Sequence, residues 1–148
     1  MSDRLVSAVV DTNLFVSALI SARGSPRALY TAWRGGAFIL HLADVQRAEI
    51  ADVLGRRKFL DRFNITAEDV QELLYLLDMR ARRVPLRASL PLRVRDAQDD
   101  HLLAAALGGE ADYLVSGDDD LLSLAADARL GTLRIVTVQE FLGLLAHV

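Results

Sequence analysis

Short apolar runs alternate with helical patterns along the whole 148-residue chain, and this alternation leaves few architectures open. Leu5 to Val10 is β-branched and apolar apart from Ser7, as expected of a strand covered on both faces of a parallel sheet. Ala37 to Leu42, Tyr113 to Val115 and Leu133 to Thr137 read as further strands, and Arg82 to Leu86 as a short additional one. Leu14 to Ile20 reads as a helix. A second is expected from Ser25, as N-cap with Pro26 at the first helical position, to Arg34, before Gly35-Gly36. Ala43 to Leu54 follows, ended by Gly55. Thr66 carries a full helix-start signal, with Asp69 three residues on and Ile65 and Val70 placed as a hydrophobic staple. Val70, Leu73, Leu74 and Leu77 then mark one apolar stripe. Asp96 to Leu107 is expected as a helix with acids in its first turn and Gly108-Gly109 as its stop, and Asp119 to Ala126 and Gln139 to Ala146 as the last two.

Strands alternating with helices imply right-handed βαβ units and a central parallel sheet covered on both sides. About half the residues are apolar, enough to bury a core within one domain spanning residues 1–148. The segments Arg56 to Ile65 and Arg80 to Arg95 read as long loops flanking the Thr66 helix, which is expected to protrude as part of a helical arm.

The chain has no cysteine, which excludes disulfides, thiolate zinc ligands and a cysteine nucleophile and suits a reducing compartment, the cytoplasm being the simplest. The apolar run before Asp11 is too short for a full signal peptide or a membrane span. Net charge is −3, from 20 acidic and 17 basic residues, so the strongly basic signature of many nucleic-acid binders is missing. The distribution says more: arginines and a lysine gather at Arg56, Arg57 and Lys58 and at Arg80 to Arg95, while acids crowd Asp96 to Asp100 and Asp118 to Asp120. Walker, dinucleotide-binding and serine-elbow motifs are all absent. His41, His101 and His147 are scattered; His101 adjoins Asp100 and could act near it, but a solvent-facing place on a helix is the expected one.

Ligands of open α/β sheets sit beyond the carboxyl ends of the strands, where the strand order reverses. Asp11 ends the first strand and Asp118 follows the strand at Tyr113 to Val115. Asp100 lies in the first turn of the helix leading into that strand, and Glu49 on the helix after the second. Each has a bland reading, as a cap, a turn residue or a helix-start acid. Together those readings weaken, because two unit charges about 4 Å apart repel by about 4 kcal/mol at an effective dielectric near 20, a large share of a small domain's stability. Hard oxygen ligands favour Mg²⁺ or Mn²⁺, ions suited to phosphodiester hydrolysis. Asn13 and Ser116 are placed to support the first carboxylate or a water, or to serve only as turn residues.

These motifs resemble the PIN-domain family. The likeness is carried by Val9-Val10-Asp11-Thr12-Asn13, Ala48-Glu49-Ile50, Arg95-Asp96-Ala97-Gln98-Asp99-Asp100, and Ala111-Asp112-Tyr113-Leu114-Val115-Ser116-Gly117-Asp118, and extends to Thr137-Val138-Gln139-Glu140-Phe141-Leu142. It is strongest to the toxin components of toxin–antitoxin systems. The resemblance implies a three-layer αβα sandwich around a mostly parallel sheet of four to five strands, and Mg²⁺- or Mn²⁺-dependent endoribonuclease activity. It further implies a small antitoxin partner and a homodimer. The family's acidic quartet falls on Asp11, Glu49, Asp100 and Asp118, with Asn13, Ser116, Asp99 and Asp120 as accessory positions. Asp96, Asp99 and Asp100 compete for the third place, and Leu102-Leu103-Ala104-Ala105 after it favours Asp100. Arg56, Arg57, Lys58, Arg93 and Arg95 are candidates for contact with RNA. A non-catalytic RNA- or protein-binding module, and a metal-dependent phosphatase or DNA nuclease, are the alternatives.

Overall fold

Ser7–Val10 forms the central strand, β1, and all four of its residues are buried. The structure is a computed structural model that describes residues 4–146, so His147 lies outside the described residues. β2 (Ile39–Leu42) and β4 (Tyr113–Val115) pair with β1 on its two sides, β3 (Arg82–Arg83) pairs with β2, and β5 (Arg134–Val136) with β4. Every pairing is parallel, giving five strands in the order β3-β2-β1-β4-β5. The order runs one way from β1 through β2 to β3 and then jumps back to β4, so the reversal lies between β1 and β4.

Side chains on a strand point alternately to opposite faces, and the core follows that period. Ala8 and Val10 join Phe15, Leu29, Trp33, Ile50, Leu73 and Phe141 on one side. Val9, Leu114 and Ile135 join Leu92, Leu102, Leu103 and Leu121 on the other. The first layer is built from α1 (Thr12–Ile20), α2 (Ser25–Arg34), α3 (Asp44–Leu54), α5 (Ala67–Arg80) and α8 (Val138–Ala146). The second holds α6 (Asp100–Gly108), α7 (Asp119–Leu122) and the segment around Leu92 and Val94. This is the αβα sandwich expected. No helix among the described residues is long and apolar enough to cross a membrane.

The Thr66 signal is realised: its hydroxyl accepts from Asp69 N at 3.1 Å, and Ile65, Val70, Leu73 and Leu77 are buried. That burial also corrects the picture of a protruding arm. The stripe on α5 shares a core with Leu54 of α3, while Arg47 of α3 grips Asp78 through two hydrogen bonds and Arg34 of α2 pairs with Glu72. The stretch expected as a loop before it contains a further helix, α4 (Arg57–Arg62), which Phe59 and Leu60 anchor against that core.

Two expected helix signals work differently. α2 is capped at Gly24, whose φ of 102° favours glycine, and Ser25 makes no cap bond; its hydroxyl accepts instead from Gln139 Nε2 of α8. Gly108 belongs to α6, which begins only at Asp100 after a single 3₁₀ turn at Ala97–Asp99. Glycine is required there by a close approach: a Cβ on Gly108 would lie 2.1 Å from Pro85 O and 2.8 Å from Arg87 N. This contact lays the 85–87 backbone on α6, where Arg87 N bonds Ala104 O.

Gly108→Ala is therefore expected to cost about 1–3 kcal/mol, as overpacking does. Gly143→Ala, within α8 where a new Cβ meets nothing within 4 Å, is expected to stabilise by up to about 1 kcal/mol. Urea unfolding of both variants checks the contrast, and equal shifts would contradict it.

Candidate active site at the carboxyl edge of the sheet

Asp11 is the residue at which β1 gives way to α1, and it is 4% exposed. A carboxylate so enclosed requires donors. Oδ1 accepts from Asn13 N at 3.1 Å, and Oδ2 accepts from the Ser116 hydroxyl at 2.8 Å. The expected capping role is thus realised, on one oxygen of a side chain whose other oxygen is held by Ser116. Its own N–H donates to Val115 O at 2.9 Å, which fixes the ends of β1 and β4 side by side.

Ser116 is fully buried and acts in both directions, because its Oγ also accepts from Asp118 N at 3.0 Å. One hydroxyl therefore sets the spacing between the Asp11 carboxylate and the Asp118 backbone. Asp118 caps α7 by accepting from Asp120 N at 3.0 Å, so Asp120 contributes its backbone N–H. Asn13 likewise contributes its N–H, and its residue is otherwise exposed.

The third carboxylate in this group is that of Asp99. Its carboxyl is hydrogen-bonded to Asp118, and its pKa is pushed up to about 7, chiefly by burial, then by that bond and by the charges of Asp11, Asp118 and Asp96. Glu49 and Asp100 are not among the charges acting on it. Asp100 turns elsewhere: its Oδ1 accepts from Val94 N at 3.1 Å and its Oδ2 meets Arg93 at 3.2 Å. Of the three acids competing for the third place, Asp99 is the one whose carboxyl bonds Asp118, while Asp100 bonds Val94 N. Successive residues of a helical turn point about 100° apart, so only one of the two faces the strand ends. The pattern Leu102-Leu103-Ala104-Ala105 fixes which face of α6 is buried, but not which residue of the preceding 3₁₀ turn meets Asp118.

Glu49, on α3, is 42% exposed and bonded through Oε2 to His101 Nε2 at 2.7 Å. His101 is 15% exposed and faces α3, contrary to the expected solvent-facing position. Gln46, one turn before Glu49, was not singled out by the sequence. It is 1% exposed, and its Nε2 donates to Val10 O at 2.6 Å and to Thr12 Oγ1 at 3.4 Å, bracing the chain on both sides of Asp11. The signal available was its place at the head of the buried spacing Gln46, Ile50, Leu54.

Of the basic candidates, Arg93 lies against Asp100, one residue from Asp99. Arg56 pairs with Asp52 on α3, and Arg57, Lys58 and Arg95 are exposed. Among the described residues no three His, Cys, Asp or Glu side chains are already drawn close enough to enclose an ion. The donor chemistry nevertheless suits one. Three carboxylates converge from three segments, burial and like charge keep a proton on one of them, and every donor is a hard oxygen of the kind Mg²⁺ and Mn²⁺ take.

A family model described as PIN domain matches residues 7–120, a span that contains Asp11, Glu49, Asp99 and Asp118. No curated protein matches the chain.

The raised pKa of Asp99 has a stability consequence. Between the ordinary carboxylate range and about pH 7 the folded protein keeps a proton that the unfolded chain has released, so this group's contribution to stability falls as pH rises through that window and levels off above it. Asp99→Asn removes the effect. Urea midpoints in chelator are expected to show the variant increasingly more stable than the parent from pH 4 to pH 8; parallel pH curves would contradict the assigned crowding.

Proposed function

The chain belongs to the PIN-domain family, a nuclease-type fold whose members are generally metal-dependent, and we propose that it is a Mg²⁺- or Mn²⁺-dependent endoribonuclease. The observation that carries this reading is the convergence of Asp11, Asp99 and Asp118 at the reversal of strand order, where no cationic side chain among the described residues acts on Asp99 and like charge with burial raises its pKa to about 7. Asp11, Asp99 and Asp118 would hold the ion, with Glu49 as a candidate fourth ligand. When bound, such an ion supplies Lewis-acid activation of water and stabilises charge on the scissile phosphate.

The protein's own groups supply the positioning. Ser116 and Asn13 N occupy one lone pair on each Asp11 oxygen and fix the plane of that carboxylate, leaving further lone pairs for a ligand. Asp118 is oriented by its cap bond to Asp120 N. Arg93 is exposed at the rim, where its partner Asp100 can yield it to a phosphate oxygen at little cost, since exposed ion pairs contribute about 0–1 kcal/mol. Arg56, Arg57, Lys58 and Arg95 extend the basic surface available to a strand. In its biological setting we read the protein as a cytoplasmic toxin held inactive by a small antitoxin and acting as a homodimer, a reading that rests on the likeness of its motifs to toxin members of the family.

Asp11→Asn and Asp118→Asn are each expected to lower Mn²⁺-dependent RNA cleavage by about a thousandfold, equivalent to about 4 kcal/mol of transition-state stabilisation. Asp99→Asn is expected to do the same, and Asp100→Asn to leave more than a tenth of the activity. RNA, single-stranded DNA and small phosphate esters assayed side by side identify the substrate. Preferred cleavage of DNA or of the esters would replace the ribonuclease reading, and chelator-insensitive RNA binding without cleavage would favour a binding module.

A further inference from the structure

A 2.7 Å hydrogen bond joins His101 Nε2 on α6 to Glu49 Oε2 on α3. The two ends of this bond differ: the imidazole is 15% exposed and the carboxylate 42%. The histidine is thus the fixed post, and the longer, more exposed glutamate is the group being held. The other ring nitrogen, Nδ1, is buried without a hydrogen-bond partner among the described residues. A bare lone pair costs less there than an unpaired N–H, so the proton sits on Nε2 and is donated to Glu49. Oε1 of Glu49 takes part in no hydrogen bond among the described residues and remains available as an oxygen ligand.

The position of His101 in the chain adds to this. It stands two residues after Asp99, in the first turn of the helix that Asp99 precedes, so the entry to α6 both contributes a carboxylate directly and reaches across to α3 for a second. We propose that His101 is a positioning residue of the metal site, which holds Glu49 in the orientation that lets Oε1 join Asp11, Asp99 and Asp118 around a divalent cation. The proposal rests on the metal-dependent reading above. Partners of this kind, which orient a ligand without touching the ion, change metal affinity by about 10–100-fold when lost.

The test is Mn²⁺ binding by isothermal titration calorimetry, with a circular-dichroism melt of each variant as a folding control. His101→Leu is expected to weaken binding by about 10–100-fold. His101→Gln, whose side-chain amide reaches about as far as Nε2, is expected to return it to within a few-fold of the parent. Because the histidine acts through the glutamate, His101→Leu is expected to add nothing in a Glu49→Ala background. Parent-like affinity in His101→Leu overturns the proposal, as does an equal further loss in the Glu49→Ala background, which is the mark of a merely structural histidine. Binding that depends on Asp11 yet ignores His101 leaves the nuclease reading standing and sinks this one alone. A parent protein that takes up no Mn²⁺ removes both.

Discussion

Repulsion among carboxylates at the ends of β1 and β4 is the constraint on which the rest of this structure turns. Asp11 is buried at the end of β1, Asp118 follows β4 across a one-residue spacer from Ser116, and Asp99 closes on both from the start of α6. A pair of such charges about 4 Å apart opposes folding by about 4 kcal/mol at an effective dielectric near 20, against a total stability of about 5–15 kcal/mol for a domain of this kind. The fold tolerates the crowding by fixing each group with donors: the Ser116 hydroxyl and Asn13 N on Asp11, Asp120 N on Asp118 and, below about pH 7, a proton on Asp99. A divalent cation would replace that proton and convert the crowding into affinity.

The scaffold is rigid where the carboxylates need it to be. β1 is paired on both sides and covered on both faces, so Asp11 inherits its position from the most enclosed strand of the sheet. Gln46 ties that strand end to α3, the helix that also carries Glu49, while the Asp11 N to Val115 O bond ties it to β4. On the second layer, the 85–94 segment lies along α6, fixed by the close approach at Gly108 and by Asp100 on Val94 N. Asp100 thus secures the loop whose helix presents Asp99. Neighbouring acids divide the work: one orders the backbone, the other faces the strand ends.

Much of this was legible in the sequence, and where it was not the reason is geometric. The apolar runs located β1, β2, β4 and β5, because a strand covered on both faces must be apolar throughout, and turn residues bounded them. Asp11 and Asp118 followed from those strand ends alone. Asp99 and Asp100 did not separate, since one residue's rotation in a 3₁₀ turn decides the matter and leaves no compositional trace. α4 was hidden by Arg56-Arg57-Lys58, whose charge reads as loop although Phe59 and Leu60 bury beneath it. Gly108 read as a helix stop, but the demand on it comes from Pro85, distant in sequence. His101 read as a surface residue because its partner Glu49 lies on another helix, 52 positions away.

The claim at the centre is that Asp11, Asp99 and Asp118 form one cation site. Crystals grown with Mn²⁺ and measured at a wavelength where manganese scatters anomalously would locate the ion directly. A peak is expected within about 2.0–2.4 Å of oxygens from these three aspartates. A peak held by Asp100 in place of Asp99, or no peak at the ends of β1 and β4 in saturating Mn²⁺, would contradict it.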